Sequence, residues 1–281
     1  MNLDARIQAA LKEDLGPGDL ATESTISADA AGRAEIVAKQ ALVVSGQDVA
    51  ARVMAAAAAR YDGDVAFEAV VPDGECAGAG TVISRVAGSM RGILVGERPA
   101  LNLMMRMCGI ATTTAAHVAA ASGSTLRVVD TRKTTPLWRD LEKRAVRDGG
   151  GHNHRFGLFD GCMLKDNHIA AGGGIASAVA HARSRVHHLV RIQVECSTLA
   201  EVEQAIVAGA DSVMFDNMDN EQLQQAVALA RGLRPEVVLE ASGNMDADRI
   251  AAIKHLGLDV VSVGGLIHQA TWADLSLKVR Q

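Results

Sequence analysis

The chain has 281 residues, 48% of them hydrophobic and 22% charged, with a formal net charge of −5 and only 2% aromatic residues. That length suits one large domain or two modest ones, and the apolar runs fall short of the roughly 18 to 20 residues needed to span a bilayer. An acidic, ring-poor chain argues against a nucleic-acid surface, which needs basic residues interleaved with stacking rings.

The N-terminal segment MNLDARIQAALKEDLG mixes acids and bases along a helical period and lacks the basic, apolar, small-residue order of a signal peptide, so a cytoplasmic location is expected. Cys76, Cys108, Cys162 and Cys196 lie far apart without a CxxC pair, which indicates small buried hydrophobes rather than a disulfide framework or zinc ribbon. In chain order, the pattern predicts a helix over Leu3–Leu15, strands at Arg33–Ala38, Val65–Val71 and Thr81–Val86, and helices at Val49–Arg60 and Arg98–Met107. Beyond Thr125 a rhythm sets in of a short β-branched run, a polar residue at its end, a loop and an amphipathic helix. The runs are Leu126–Val129, Cys162–Leu164, Leu189–Val194, Ser212–Phe215, Val237–Leu239 and Val260–Val263. Helix signals separate them: Thr198 with Glu201 forms a capping box, Gly209 follows that helix, Asp246 opens the next and Gly257 ends it. Six successive βα units require a parallel sheet, closed as a barrel or doubly wound.

The strand ends favour the barrel. They carry Asp130, Thr131, Arg132 and Lys133, then Lys165 and Asp166, Glu195, Asp216 and Asn217, Glu240 and Ser242, and finally Gly264 and Gly265. Catalytic groups from many strands converge on the C-terminal rim of a barrel, whereas an open sheet uses mainly its switch point. The densest segment, residues 130–168, is locally basic within an acidic chain, which points to a small, highly anionic ligand. Arg132 and Arg155 suit forked contacts to carboxylates, while Lys133 and Lys165 supply point charges. Arg139, Arg144 and Arg147 share a helix and read as ordinary ion-pair formers. His152 and His154 follow three glycines rather than a strand and have no third ligand at metal spacing, so donation to an anion is the preferred role. Glu195 and Asp216 offer hard oxygens for Mg²⁺ or for ribose hydroxyls. Ala241–Asn244 and Val263–Gly265 join late strands to helices, the usual place of a phosphate cradle in barrels. Two alternatives stand beside this: a Schiff-base aldolase using Lys165, and a non-catalytic anion-binding protein.

The ordered set EDLGPGDLATEST, GERPALNLM with GIAT, TRKTTP, LEK, AVRDGGGHNHR, GLFD, LKDNHI, VEC, FDNM, EASGN and SVGGLIH closely resembles the quinolinate phosphoribosyltransferase family along nearly the whole chain. The resemblance implies an α/β protein with an N-terminal α/β sandwich domain over 1–111. An incomplete, about seven-stranded α/β barrel of the type II phosphoribosyltransferase kind over 112–281 would follow, with the tail 269–281 packing on the first domain. It implies transfer of phosphoribose from 5-phosphoribosyl 1-pyrophosphate to quinolinate with decarboxylation, giving nicotinate mononucleotide in NAD biosynthesis. It further implies Mg²⁺ as cofactor and a homodimer in which Arg98 completes the neighbouring site. On the matching positions, quinolinate would meet Arg132, His154, Arg155 and Lys165. Phosphoribosyl pyrophosphate would meet Lys133, Glu195, Asp216, Ser242, Gly243 and Gly264, and Glu195 and Asp216 would serve Mg²⁺. Lys133, Lys165, Glu195 and Asp216 would form the catalytic set. Two departures stand out: Leu137-Trp138 where the family usually has Gly-Leu, and Gly265-Leu266-Ile267-His268-Gln269 where it usually ends in GALTHS. Related molybdenum-locus paralogues typically lack KDNH, so Lys165–His168 argues against that branch.

Overall fold

The structure, a computed structural model, describes residues 2–280. The chain forms two compact units: residues 1–115, 135–150 and 270–281 make the first, and 116–134 with 151–269 make the second.

In the first unit, helix α1 (Leu3–Leu15) starts where the Asn2 side chain accepts the Ala5 N–H at 2.9 Å and stops at Gly16, which supplies a left-handed φ of 54°. Helix α2 is Leu20–Thr25. Strands β1 (Ala31–Ala38), β3 (Val65–Ala69), β5 (Val82–Ser89) and β12 (Leu275–Arg280) build an antiparallel sheet in the order β12-β1-β5-β3. The two-residue strands β2 (Leu42–Val43) and β4 (Cys76–Ala77) pair separately. The sheet and helix α3 (Gln47–Ala59) enclose an apolar core that includes Ile7, Leu11, Ile36, Met54, Ile83 and Ile93. Helix α4 runs over Met90–Ala120, so it begins eight residues before the predicted start at Arg98. Pro99 imitates a helix start, but it sits buried inside the helix. The preceding turns are held by close packing: a Cβ on Gly92 would come within 2.5 Å of Ala58 Cα. The boundary expected at 111/112 therefore falls within a continuous helix, and the compact units part at 115/116 instead.

Helix α5 (Arg139–Asp148) also belongs to the first unit, which divides the basic 130–168 segment between the two units. Charged residues of this helix pair within the unit. Arg6 forks onto both carboxylate oxygens of Asp140 at 2.6 Å each, and Arg144 pairs with Asp48 at 2.6 Å and Asp73 at 2.5 Å. Glu142, only 2% exposed, receives Arg106 at 2.8 Å.

The second unit has six parallel strands: β6 (Arg127–Val129), β7 (Cys162–Leu164), β8 (Ile192–Cys196), β9 (Ser212–Asp216), β10 (Val238–Ser242) and β11 (Val260–Ser262). Their order is β6-β11-β10-β9-β8-β7. Chain order thus runs round a ring, with β11 returning to β6, as a barrel requires. The seventh position is a single parallel bridge from Val129 to His152, closed by Asp130 N–H to His152 O at 3.1 Å and His152 N–H to Val128 O at 2.9 Å. No pairing among the described residues joins this segment to β7, so the barrel is incomplete there. The strand predicted from Leu189 starts at Ile192, and Leu189 is exposed. Helices α6 (Asp166–Ala171), α7 (Ile175–Arg183), α8 (Leu199–Val207), α9 (Asn220–Leu233), α10 (Ala247–Ile253) and α11 (Gly265–His268) fill the crossovers. Reciprocal caps start α8 (Thr198 with Glu201) and α9 (Asp219 with Gln222), and the Asp246 side chain caps α10.

Candidate active site

A cavity of about 720 Å³ opens at the C-terminal ends of the barrel strands. Each strand end contributes. Thr131, Arg132 and Lys133 follow β6, His154 and Arg155 follow the bridge segment, and Lys165 follows β7. Glu195 lies on β8, Asp216 ends β9, Ser242 ends β10, and Gly243 and Gly264 occupy the last two loops. His152, expected like His154 to donate to an anion, lines a smaller separate cavity; the residues that the resemblance implies for ligand binding all line this one, except Arg98. That residue lies on α4 in the first unit, exposed, with Glu97 at 3.9 Å as an ion-pair partner.

Charge is unevenly spread along the wall. Among the described residues no carboxylate makes an ion pair with Arg132 or Lys133. Burial, and then the Arg132 charge, push Arg155 below its ordinary value. Arg155 donates to Gly161 O at 2.9 Å, which fixes the guanidinium's approach. Lys165 Nζ donates to Glu195 Oε2, joining the basic wall to the acidic one. The Lys165 backbone N–H is held by His168 Nδ1 at 3.1 Å at the start of α6. The acidic wall continues with Asp216, whose Oδ2 accepts from Asn217 Nδ2 at 2.8 Å.

The glycines have steric reasons. Gly243 has φ +97°, and a Cβ there would lie 2.2 Å from Asn217 Oδ1. A Cβ on Gly264 would come within 3.0 Å of Lys133 Cδ, so this glycine lets the lysine stem lie across the loop. These bare backbones leave room for a compact, multiply charged ligand group to approach main-chain N–H donors. The His268 ring, at the end of α11, bonds Gly264 O through Nδ1 at 2.7 Å and completes that wall.

Two polar residues placed on the rim by sequence lie below it. Asp130 is fully buried: Oδ1 accepts the His154 N–H at 2.9 Å and Oδ2 accepts Asn153 Nδ2 at 2.6 Å. Glu240 is the third residue of β10 and points into the barrel, because that strand continues to Ser242 instead of ending at Leu239. Sequence reasoning also missed Met163, Met214, Met245 and Asp246 as lining residues. Methionines carry no polar signal at a strand end, and Asp246 was read only as a helix cap. Among the described residues no three His, Cys, Asp or Glu side chains converge as a metal-ligand group. Burial pushes the Cys108 and Cys196 thiols up to about 12, so neither is a nucleophile.

The sequence model of the quinolinate phosphoribosyl transferase C-terminal domain matches residues 110–278, and that of the N-terminal domain matches 19–108. A probable nicotinate-nucleotide pyrophosphorylase (carboxylating) of Synechocystis is 40% identical over 277 residues, covering 99% of this chain and 92% of the relative. A protein of the same name from Bacillus subtilis is 40% identical, covering 95% of this chain and 90% of its own. In three dimensions the chain is similar to NadC from Streptococcus pyogenes, with a TM-score of 0.91 at 39% identity over 99% of this chain and 97% of that one. It is equally similar to the nicotinate-nucleotide pyrophosphorylase from Francisella tularensis, with a TM-score of 0.91 at 36% identity over 99% and 96%. Matches of this extent across both parts of the chain establish that it belongs to the quinolinate phosphoribosyltransferase family.

Proposed function

We propose that the chain transfers phosphoribose from 5-phosphoribosyl 1-pyrophosphate to the ring nitrogen of quinolinate and releases CO₂, giving nicotinate mononucleotide for NAD biosynthesis. The observation that carries this reading is the cavity that Arg132, Lys133, Arg155 and Lys165 line together with Glu195, Asp216 and the Ser242-Gly243 loop. Quinolinate brings two carboxylates and phosphoribosyl pyrophosphate brings a pyrophosphate and a 5′-phosphate. A basic wall and a bare-backbone loop complement that pair.

In this mechanism Arg132 and Arg155 hold the carboxylates by forked hydrogen bonds and set the ring nitrogen in line with the anomeric carbon. His154 supports that wall, and Lys165 spans both substrates. The C1–O bond to pyrophosphate breaks as the nitrogen bond forms, and Lys133 stabilises the negative charge that leaves. Glu195 and Asp216 hold the ribose hydroxyls and steady the positive charge at the anomeric carbon. The bond from C2 to its carboxylate then breaks, its electrons remain at C2 beside the cationic ring nitrogen, and a proton from solvent completes the product. Ser242, Gly243 and Gly264 receive the 5′-phosphate.

Glu195 and Asp216 are hard oxygen donors on one wall, and they fit Mg²⁺ held partly by substrate oxygens and water, since two carboxylates suffice for that ion. Bound there, Mg²⁺ would neutralise pyrophosphate charge. The aldolase alternative is less well supported, because a Schiff-base lysine needs cationic or apolar neighbours to give up its proton, whereas Lys165 donates to the Glu195 carboxylate. A homodimer completed by Arg98, and a cytoplasmic location, belong to the same reading; no helix among the described residues is long and apolar enough to cross a membrane.

The test is to incubate the protein with Mg²⁺, phosphoribosyl pyrophosphate and either quinolinate or nicotinate, and to follow nicotinate mononucleotide and CO₂ by mass spectrometry. Product from quinolinate alone, with CO₂ in equal amount, is expected. Absence of product from quinolinate overturns the reading. For the shared site, Arg98→Ala and Arg132→Ala subunits, each inactive alone, are expected to regain activity when mixed.

A further inference from the structure

Beneath the basic wall, the barrel interior carries a polar layer where apolar packing would be expected. Gln193 on β8, Ser212 on β9, Glu240 on β10 and Ser262 on β11 come from four adjacent strands, and none is more than 9% exposed. Gln193 Nε2 donates to Glu240 Oε2 at 2.7 Å and to Ser212 Oγ at 3.1 Å. A second cavity of about 350 Å³ lies against this layer, and its lining shares His154, Arg155 and Met163 with the substrate cavity. The Ser262 hydroxyl stands beside the Glu240 carboxylate. Burying such groups costs free energy that a hydrophobic barrel interior would avoid, so their retention calls for a reason.

The reason lies one contact away. His154 Nδ1 accepts the Arg155 backbone N–H at 2.7 Å, so the ring proton sits on Nε2, and Nε2 lies 3.3 Å from Glu240 Oε2. Burial raises the Glu240 carboxyl, but the His154 contact, then the nearby Ser262 hydroxyl and the Gln193 amide, outweigh it and bring the carboxyl below its ordinary value. A charged carboxylate therefore faces the Nε2 proton. Asp130 holds the other side of the same segment through His154 N–H. Among the described residues, the 152–155 segment has a single bridge to the barrel, at His152, and no strand pairing on its other side. Buried carboxylates do the work there that sheet hydrogen bonds do elsewhere.

We infer that Glu240 is a positioning residue for the carboxylate-binding wall: acting through His154, it fixes the 152–155 segment and with it the Arg155 guanidinium. Glu240 does not line the substrate cavity, and the inference rests on the reaction proposed above. It predicts a selective effect, because the phosphoribosyl pyrophosphate residues on β8, β9 and the late loops do not depend on this contact.

The experiment measures kcat and both KM values for wild type, Glu240→Gln, His154→Ala and the double variant, with thermal unfolding of each. Glu240→Gln is expected to raise the quinolinate KM about tenfold or more, since a small displacement of a substrate-orienting group has effects of that size. The phosphoribosyl pyrophosphate KM should change less than twofold, and Glu240→Gln should add no further effect in the His154→Ala background. Glu240→Asp, which keeps the charge but withdraws it by one methylene, provides the same cycle if Glu240→Gln does not fold. Equal changes in both KM values, or a full Glu240→Gln effect without His154, overturn the inference while leaving an active wild type and the proposed reaction intact. A wild type that forms no product removes both.

Discussion

The two units use the same kinds of charged residue in opposite ways. In the first, Arg6, Arg106 and Arg144 each meet a carboxylate of α5 or its surroundings, so the cations close internal contacts. In the second, Arg132 and Lys133 stand at a strand end without an ion pair among the described residues, facing a cavity. The lesson is that a locally basic stretch of sequence is not one feature: the fold divides residues 130–168 between the units, and Arg132, Lys133, Arg155 and Lys165 line the cavity.

Substitutions on the two sides should therefore separate stability from turnover. The largest effect is expected for Arg106→Ala, which leaves Glu142 buried without its partner and should cost about 3–5 kcal/mol of stability. Chemical denaturation would read it, and an unchanged midpoint would show that Glu142 is satisfied by Thr135 alone, which donates through its N–H at 2.7 Å. Lys133→Ala should do the reverse, lowering kcat/KM by about 100- to 1000-fold while the unfolding midpoint stays put. Gly243→Ala should combine both behaviours, because the added methyl meets Asn217 Oδ1 and the backbone must leave φ +97°. A stability loss of about 1–3 kcal/mol is expected, together with a raised KM for phosphoribosyl pyrophosphate; an unaltered KM would remove this loop from the phosphate site.

The smallest effect is expected at Leu137. Its φ is +69° and its side chain is exposed, so the position asks for the glycine that the family usually carries there. The Arg6 guanidinium holds the Leu137 carbonyl, stacks on Trp138 at 5.0 Å and so keeps the strained turn in place. Leu137→Gly should raise stability by up to about 1 kcal/mol, and a fall in the midpoint would mean that Leu137 packs in a way its exposure conceals.

Much of the barrel was legible because its strands are short apolar runs, β-branched in all but β7, followed by polar residues. Legibility failed where that chemistry was absent. The bridge at His152 lies in a Gly-His-Asn-His stretch with no β-branched residue, and its pairing depends on Val128 and Asp130 rather than on local propensity. Glu240 was read as a rim acid because the apolar run stops at Leu239; the sheet register with β9 carries the strand on to Ser242. The first eight residues of α4 were hidden by Pro99, a strong local signal overruled by the packing of Gly92 on α3. Within the site, the charged residues announced themselves and the methionines did not.

The position of β12 has a consequence for synthesis on the ribosome. This strand pairs with β1, from Arg33 opposite Arg280 to Ala38 opposite Leu275, so the earliest strand of the chain waits for the latest. Every barrel strand emerges before the sheet of the first unit can be completed, and until then β1 is an open edge of the kind that pairs with other chains. The nascent protein must therefore keep its first-made sheet unfinished while its last-made unit folds, which makes the interval before residue 275 the stage at which this chain depends most on protection from its neighbours.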